Sequence, residues 1–165
     1  MHFANSLYNL LEIKPSRFGN GIFATQKISS GIIVCSIQGN QISFKETLLL
    51  GERESHAIQV GIDKYILCEP PFLFSNHSCY PNCGINSELE LFTLKEIEKG
   101  EELFWDYSTS MLEQHWTMDC ACGNSNCRKK ISDFDLLPTS LQQQYIKMNI
   151  VLPFILDHMD FRIAI

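Results

Sequence analysis

The chain has 165 residues, about the length of one ordinary domain. Hydrophobic residues make up 45% and charged residues 19%, a balance that predicts a globular fold and argues against long disorder. The 13 lysine and arginine residues against 19 aspartate and glutamate residues give a net charge of −6, so we expect no direct nucleic-acid binding. This acidity suits a basic partner such as a lysine-rich protein tail, although it would equally serve solubility alone.

The apolar stretches are short and the cysteines are unevenly placed. The segment IVLPFIL (150–156) is far below the roughly 20 residues needed to cross a bilayer, so we expect no membrane association. The first residues lack a basic leader and a small-residue cleavage site, which does not predict a signal peptide. Seven cysteines, three of them within eight residues, indicate a metal site in a reducing intracellular compartment, cytoplasm or nucleus, better than a disulfide framework.

The first part of the chain predicts short strands separated by turns. LYNLLEIK (7–14) and GIIVCSI (31–37) are apolar and read as strands. Between them Gly19 and Gly21 indicate a tight turn. ISFKETLLL (42–50) predicts a short helix that ends before a glycine.

A hairpin and two further strands follow. Strands around Ala57–Val60 and Lys64–Leu67 are joined by a short glycine-containing turn. In LELFTL (89–94) apolar and polar residues alternate moderately, and ELFWDY (102–107) is rich in aromatic residues, as is typical of strands.

The C-terminal part changes character and predicts helices. Thr139 and Gln142 have the spacing of a capping box, and the following helix places Leu141, Tyr145 and Met148 on one face. A second short helix is expected at 150–159. The fold class predicted is therefore mainly β, a β-rich α+β arrangement with C-terminal helices.

The segment CACGNSNC (120–127) has the Cys-x-Cys-x4-Cys pattern of a zinc loop. A tetrahedral zinc ion needs four ligands, so a fourth must come from elsewhere, and four sulfurs would make the site structural. Free thiols, or one disulfide with a spare cysteine, remain the alternative. The candidate fourth ligands are Cys79, Cys83, Cys68, Cys35 and His115.

Three further motifs occur in order with this loop. They are FGNGIFA (18–24), FSNHSCYPNC (74–83) and GEELFWDYS (100–108), followed by CACGNSNCR (120–128). Together these four segments resemble the SET-domain protein lysine methyltransferases in their compact form with a post-SET zinc segment. Any one motif is a weak signal, whereas four in this order are specific.

The resemblance implies a function, a methyl donor and a set of site residues. It implies transfer of methyl groups from S-adenosylmethionine to the side-chain amine of lysine in a protein, possibly a histone or histone-like tail. The implied donor-binding residues are Phe18, Gly19, Asn20, His56, Asn76, His77 and Tyr107. The implied catalytic residues are Tyr107, Trp105 and His56. The implied ligands of a structural Zn²⁺ are Cys79, Cys120, Cys122 and Cys127.

The resemblance also implies a layout. A SET domain is expected at 7–108, a post-SET zinc segment at 109–131 and a helical extension at 132–165. The SET fold implies a C-terminal pseudoknot, in which the later segment threads beneath a loop beside the central motif. That threading is unusual among protein topologies and does not follow from the residue pattern.

Three positions depart from the family's usual residues. Trp105 stands where phenylalanine or tyrosine is common, His56 where tyrosine is common, and Leu73 where arginine often opens the central motif. These departures leave open an alternative, a catalytically inactive, zinc-stapled module that binds a lysine-bearing partner. A thiol-redox or metal-buffering protein would explain the cysteine loop but not the other motifs.

Overall fold

Short β-strands dominate the computed structural model, which describes residues 10–159. The strands are β1 (Leu11–Ser16), β2 (Gly19–Ala24), β3 (Ile33–Ser36), β4 (Gly39–Ile42), β5 (Ala57–Gly61), β6 (Lys64–Cys68), β7 (Asn76–His77), β8 (Cys83–Ile85), β9 (Glu90–Thr93), β10 (Phe104–Trp105), β11 (Met118–Asp119) and β12 (Lys130–Ile131). The α-helices are α1 (Phe44–Thr47), α2 (Thr139–Lys147) and α3 (Pro153–His158). Short 3-10 helices span Gly51–His56, Phe72–Phe74, Tyr107–Ser110 and Phe134–Leu136. The predicted mainly β fold class is confirmed.

The strands form several small sheets. Two three-stranded antiparallel sheets have the orders β3-β9-β8 and β4-β6-β5. The remaining strands pair as the antiparallel ribbons β1–β2 and β11–β12 and as the parallel pair β7–β10. The parallel pair joins segments that are about 28 positions apart in the chain, so it brings two distant motifs side by side.

The glycine-rich segment after β1 is a strand; the predicted tight turn is present at residues 17–18, directly before Gly19, whereas Gly21 lies within the strand. β2 pairs with β1 from Ser16 opposite Gly19 onwards, and Ile22 in β2 is fully buried. The chain reverses over the two residues between Ser16 and Gly19, and Gly19, at the end of this turn, has φ +100°. Alternation of buried side chains along β2 outweighs the weak strand propensity of its glycines.

The other strand predictions lie close to the observed elements. The predicted hairpin is present as β5 and β6, and the predicted strands at 31–37 and 89–94 are present as β3 and β9. Of the strand predicted at 102–107, only Phe104–Trp105 pairs, because the chain turns into a 3-10 helix at Tyr107. The strand predicted at 7–14 is described from Leu11 onwards, and residues 7–9 lie outside the described residues.

The capping box predicted at the start of α2 is absent, so that prediction was wrong. α2 follows Pro138 without a side-chain cap, and the Gln142 amide donates instead to the carbonyls of Phe134, Asp135 and Leu137. A capping box does form at α1, where Ser43 and Glu46 exchange hydrogen bonds with each other's backbone N–H groups.

The helical extension packs onto the strands through one large core. Tyr145 of α2 and Phe154 and Ile155 of α3 belong to the same buried cluster as Ile22 and Trp105. The predicted apolar face of α2 is therefore confirmed, and the extension is part of the core. Within residues 10–159, no helix is both long and apolar enough to span a bilayer.

Candidate active site and metal centre

The site is organised by the parallel pairing of the two central motifs. In the register of β7 with β10, Asn76 lies opposite Phe104 and His77 lies opposite Trp105. The pairing continues past the strand, where the Ser78 N–H donates to the Trp105 carbonyl at 3.0 Å. The central motif is thereby fixed against the aromatic motif by backbone hydrogen bonds.

Successive residues of β10 face opposite ways. Phe104 lines a cavity together with Phe18, whereas Trp105 lines a pocket together with Tyr107. The two-residue period of a strand places neighbouring side chains on opposite faces. The cavity and the pocket therefore lie on the two sides of one short strand.

The pocket is walled by packed aromatic rings. The Trp105 ring centroid lies 4.7 Å from that of Tyr107 and 5.5 Å from that of Phe72. The Trp105 indole N–H donates to the Ser75 hydroxyl at 3.0 Å, and the Tyr107 hydroxyl donates to the Ser75 carbonyl at 2.9 Å. Burial raises the pKa of the Tyr107 hydroxyl, which stays protonated at neutral pH and is a hydrogen-bond donor rather than a base.

The rest of the pocket adds a histidine, a second indole and carboxylates. His56 and Trp116 line the pocket, and the Trp116 ring lies 6.4 Å from that of Tyr107. Glu54 and Glu113 also line it, and none of the described residues on its walls is a lysine or an arginine. The pocket has a volume of about 60 Å³. A narrow, aromatic pocket with acidic residues suits the stem and the cationic end of a lysine side chain.

The cavity on the other side has a different character. It has a volume of about 320 Å³, within the range of small-molecule sites, and Phe18 and Phe104 meet there edge to face at 6.5 Å. Its other walls carry charges of both signs. These residues are Arg17, Lys95, Glu101 and Glu102.

The glycine strand is tied to the central motif beside this cavity. The Asn76 side-chain amide donates to the Asn20 carbonyl at 2.9 Å and to the Glu102 carboxylate at 2.8 Å. A close approach to a side chain occurs at Gly21, where a Cβ would lie 2.2 Å from Glu102 Oε1. A Cβ on Gly19 would meet nothing within 4 Å, so Gly19 is favoured by its positive φ and not by a close contact.

Four cysteines converge where the sequence predicts zinc. Their sulfurs, on Cys79, Cys120, Cys122 and Cys127, all lie within 4.8 Å of one another, and the Cys79 and Cys120 sulfurs are 3.7 Å apart. A tetrahedral site with Zn–S bonds of about 2.3 Å has its sulfurs about 3.8 Å apart. The donor set therefore fits a structural zinc ion, and Cys79 is the fourth member of the cluster.

Backbone N–H groups point at these sulfurs. The N–H groups of Arg128 and Lys129 lie 3.4 Å from the sulfurs of Cys79 and Cys127. Such hydrogen bonds stabilise thiolates and orient metal ligands. Burial raises the pKa of the Cys122 thiol, but hydrogen bonds, led by that from the Asn124 backbone, bring it down to about 6.

The side chain of His77 is engaged inside the protein. Its Nε2 lies 3.3 Å from the Cys79 sulfur, and its Nδ1 accepts the Tyr107 N–H at 3.2 Å. Because Nδ1 is an acceptor, Nε2 carries the hydrogen that faces the sulfur. Burial lowers the pKa of His77 to about 4, which favours this neutral form. A contact of His77 with a methyl donor would therefore have to use its backbone.

The structure groups the predicted site residues into three places. His56, Trp105 and Tyr107 share the pocket, and Phe18 lines the cavity. The other implied donor-binding residues, Gly19, Asn20, Asn76 and His77, are not among the residues that line the cavity. The four cysteines form the third group. Sequence reasoning gave no role to Ser75, Glu102 or Trp116, although Ser75 and Glu102 lie inside the motifs at 74–83 and 100–108 and Trp116 is an isolated aromatic residue before the cysteine loop.

Comparisons with known proteins agree with this geometry. The SET domain model matches residues 19–108, which is more than half of the chain, and the chain therefore belongs to the SET domain family. Its relatives include proteins named as histone-lysine N-methyltransferases.

Three relatives show how far the similarity reaches. The "Variant-silencing SET domain-containing protein" of Plasmodium falciparum is 29% identical over 147 residues, covering 76% of this chain and 6% of that protein. The "Histone-lysine N-methyltransferase trithorax" of Drosophila virilis is 29% identical over 133 residues, covering 69% of this chain and 3% of that protein. The "Probable histone-lysine N-methyltransferase set-23" of Caenorhabditis elegans is 30% identical over 138 residues, covering 67% of this chain and 54% of that protein. The chain thus matches a small part of the first two relatives and about half of the third.

Proposed function

We propose that this protein is an S-adenosylmethionine-dependent protein-lysine N-methyltransferase with a structural zinc ion. The observation that carries the proposal is the two-sided arrangement around β10, with a mixed-charge cavity on the Phe104 side and a narrow aromatic pocket on the Trp105 side. In this proposal the donor binds on the Phe104 side of the strand and the lysine enters on the Trp105 side.

The cavity fits the chemistry of the donor. S-adenosylmethionine, when bound, supplies a methyl group on a positively charged sulfur. Its amino-acid end carries an ammonium and a carboxylate, which are complementary to Glu101 and Glu102 and to Arg17 and Lys95. Phe18 offers an aromatic face for the adenine ring. Asn20, Asn76 and His77 would contribute through backbone groups, and Gly19 leaves room for the donor to approach.

The pocket fits the chemistry of the acceptor. A free lysine has a pKa near 10.4, so supplying its neutral form at pH 7 costs about 4–5 kcal/mol. Desolvation between the Trp105 and Tyr107 rings lowers the pKa of an inserted amine and so reduces this cost. Glu54 and Glu113 attract the lysine while it is still charged.

Tyr107 and His56 have positioning roles in this proposal. The Tyr107 hydroxyl, held on the Ser75 carbonyl, lies where it orients the amine without removing a proton. His56 lines the same pocket, in the place where the resemblance expects a tyrosine. Alignment and desolvation supply the catalysis, and no acidic base is required.

The substrate class follows from charge and from the named relatives. A chain with a net charge of −6 and a carboxylate-bearing pocket favours a basic protein tail, such as that of a histone or a histone-like protein. We propose a reducing intracellular compartment, because the described cysteines form no disulfide and four of them converge in a cluster suited to zinc. The proposed division into 7–108, 109–131 and 132–165 follows the same resemblance.

The test is methyl transfer from isotopically labelled donor to a panel of purified basic and acidic proteins. We expect label in lysine-rich proteins and little in acidic ones. Calorimetry with S-adenosylmethionine runs in parallel on folded, zinc-loaded protein. Absence of donor binding would contradict the enzyme, whereas donor binding without transfer to any basic protein would favour the inactive binding module.

A further inference from the structure

One buried carboxylate joins three parts of the molecule next to the candidate catalytic tyrosine. Asp106 directly precedes Tyr107, and its side chain is fully buried. The Arg128 guanidinium donates to both carboxylate oxygens at 2.7 Å. The Tyr145 hydroxyl donates to Asp106 Oδ2 at 2.8 Å, and the Ser108 N–H donates to Oδ1 at 3.1 Å.

Each partner of Asp106 belongs to a different element. Arg128 follows the zinc-loop residue Cys127, and its own N–H faces the Cys79 sulfur. Ser108 lies in the 3-10 helix Tyr107–Ser110, whose first turn Asp106 caps. Tyr145 comes from the middle of α2, which lies outside the residues matched by the family model.

Because the Asp106 carboxylate is buried, its orientation depends on its hydrogen-bond partners. Removing a charge from water is costly unless its lone pairs are all used, so the position of Asp106 depends on its partners being in place. Arg128 and Tyr145 both contact Oδ2, and Tyr145 is only 2% exposed. The oxygen on the other side, Oδ1, then caps the turn that carries Tyr107.

We propose that Tyr145 is a positioning residue for methyl transfer. Through Asp106 it fixes the turn that presents Tyr107, and through the Asp106–Arg128 pair it fixes the zinc loop against the same turn. The C-terminal extension thereby contributes to the geometry of the active site as well as to the core. This inference rests on the proposed function for its kinetic consequence, but not for its structural one.

Tyr145→Phe isolates the hydroxyl, because it keeps the ring in the core. We expect kcat to fall about tenfold with the KM for donor changed less than twofold, since alignment is lost while the cavity is intact. Ile97→Val is the matched control: Ile97 is fully buried, neither lines the pocket nor belongs to the cysteine cluster, and loses one methylene. It should lower the unfolding temperature by a similar amount and leave kcat unchanged.

A spectroscopic measurement makes the inference testable even if the protein transfers no methyl group. The chain has two tryptophans, Trp105 and Trp116, and both rings neighbour Tyr107. Tryptophan emission of the native protein therefore reports the surroundings of Tyr107. We expect Tyr145→Phe to shift this emission and to speed zinc transfer to a chelator several-fold, and Ile97→Val to do neither.

The possible results distinguish a failure of the positioning role of Tyr145 from a failure of the proposed function. Unchanged emission and zinc release in a folded Tyr145→Phe protein would overturn the positioning role, as would equal kcat losses in the two variants. If the wild-type protein shows no transfer but the emission and zinc results are as expected, the proposed function fails while the structural coupling stands.

Discussion

The Tyr107 hydroxyl donates a hydrogen bond to the Ser75 backbone carbonyl inside the pocket, and this contact limits the chemical roles open to the residue. Because it donates to the Ser75 carbonyl and burial raises its pKa, it cannot take a proton from lysine at neutral pH. In the proposed reaction, its contribution is the shape and polarity of the pocket where the amine would meet the methyl group.

Tyr107→Phe tests that contribution. We expect the transfer rate to fall about a hundredfold, the size typical of losing one well-placed donor at a reacting centre. Donor affinity measured by calorimetry should stay within about twofold, because Tyr107 lines the pocket and not the cavity. A variant that transfers at the wild-type rate would remove Tyr107 from the mechanism.

The sequence was informative at this scale wherever a motif carried the residue. Tyr107, Trp105 and Cys79 were found from the order of motifs, and the structure places the first two in one pocket and the third in the cysteine cluster. Ser75 lies inside the central motif and was still missed, as was Trp116, because the roles of both depend on tertiary contacts that no spacing in the chain records.

At the scale of elements, β2 shows the limit of a local signal. Its glycines predict a turn, which lies directly before Gly19, whereas Gly21 is in a strand held by pairing with β1 and by burial of alternate side chains. The need for Gly21 arises from Glu102, which is 81 positions away and hydrogen-bonded to Asn76. Such a long-range approach is invisible in a single sequence.

Gly21→Ala tests this close approach. The added Cβ would lie 2.2 Å from Glu102 Oε1, so that carboxylate must move and Asn76 loses an acceptor. We expect the free energy of unfolding to fall by about 1–3 kcal/mol, together with weaker donor binding. Gly61→Ala is the control, because the nearest atoms to its Cβ, in the Lys64 side chain, lie 3.3 Å away, a much milder contact. Equal losses in both variants, by thermal unfolding and calorimetry, would contradict the role of Gly21.

The cysteine cluster joins the cysteine loop at 120–127 to the central motif at 74–83, because Cys79 belongs to that motif. Cys79 lies three positions after Asn76, so loss of the metal should disturb the segment beside the cavity. We expect Cys79→Ser, or removal of zinc by a chelator, to lower zinc content, thermal stability and donor affinity together. Cys83→Ala removes a buried thiol outside the cluster and should keep the metal. A metal-to-protein ratio near zero in reduced wild-type protein would contradict the zinc site.

The whole molecule is acidic, and that charge bears on the substrate. A net charge of −6 and the carboxylates at the pocket predict that the KM for a basic peptide rises with ionic strength while kcat changes little. Steady-state kinetics between low and physiological salt would show this. A KM that does not depend on salt would mean that charge plays no part in selecting the substrate.

Only part of the overall architecture could be predicted from the sequence. Short apolar runs predicted a β-rich fold, and the two C-terminal helices lie where their patterns place them. The packing of those helices on the strands, and the contact of Tyr145 with Asp106, could not be predicted, because both depend on partners far away in the chain. The pseudoknot and the domain boundaries remain predictions from the resemblance.

The decisive measurement is tandem mass spectrometry of a lysine-containing histone-tail peptide after incubation with zinc-loaded protein and donor carrying a deuterated methyl group. Methyl transfer through the pocket predicts deuterated methyl on the lysine ε-amine with the wild-type protein and its near absence with Tyr107→Phe. Label on another residue type, or equal label with both proteins, would contradict a lysine methyltransferase whose reaction takes place beside Tyr107.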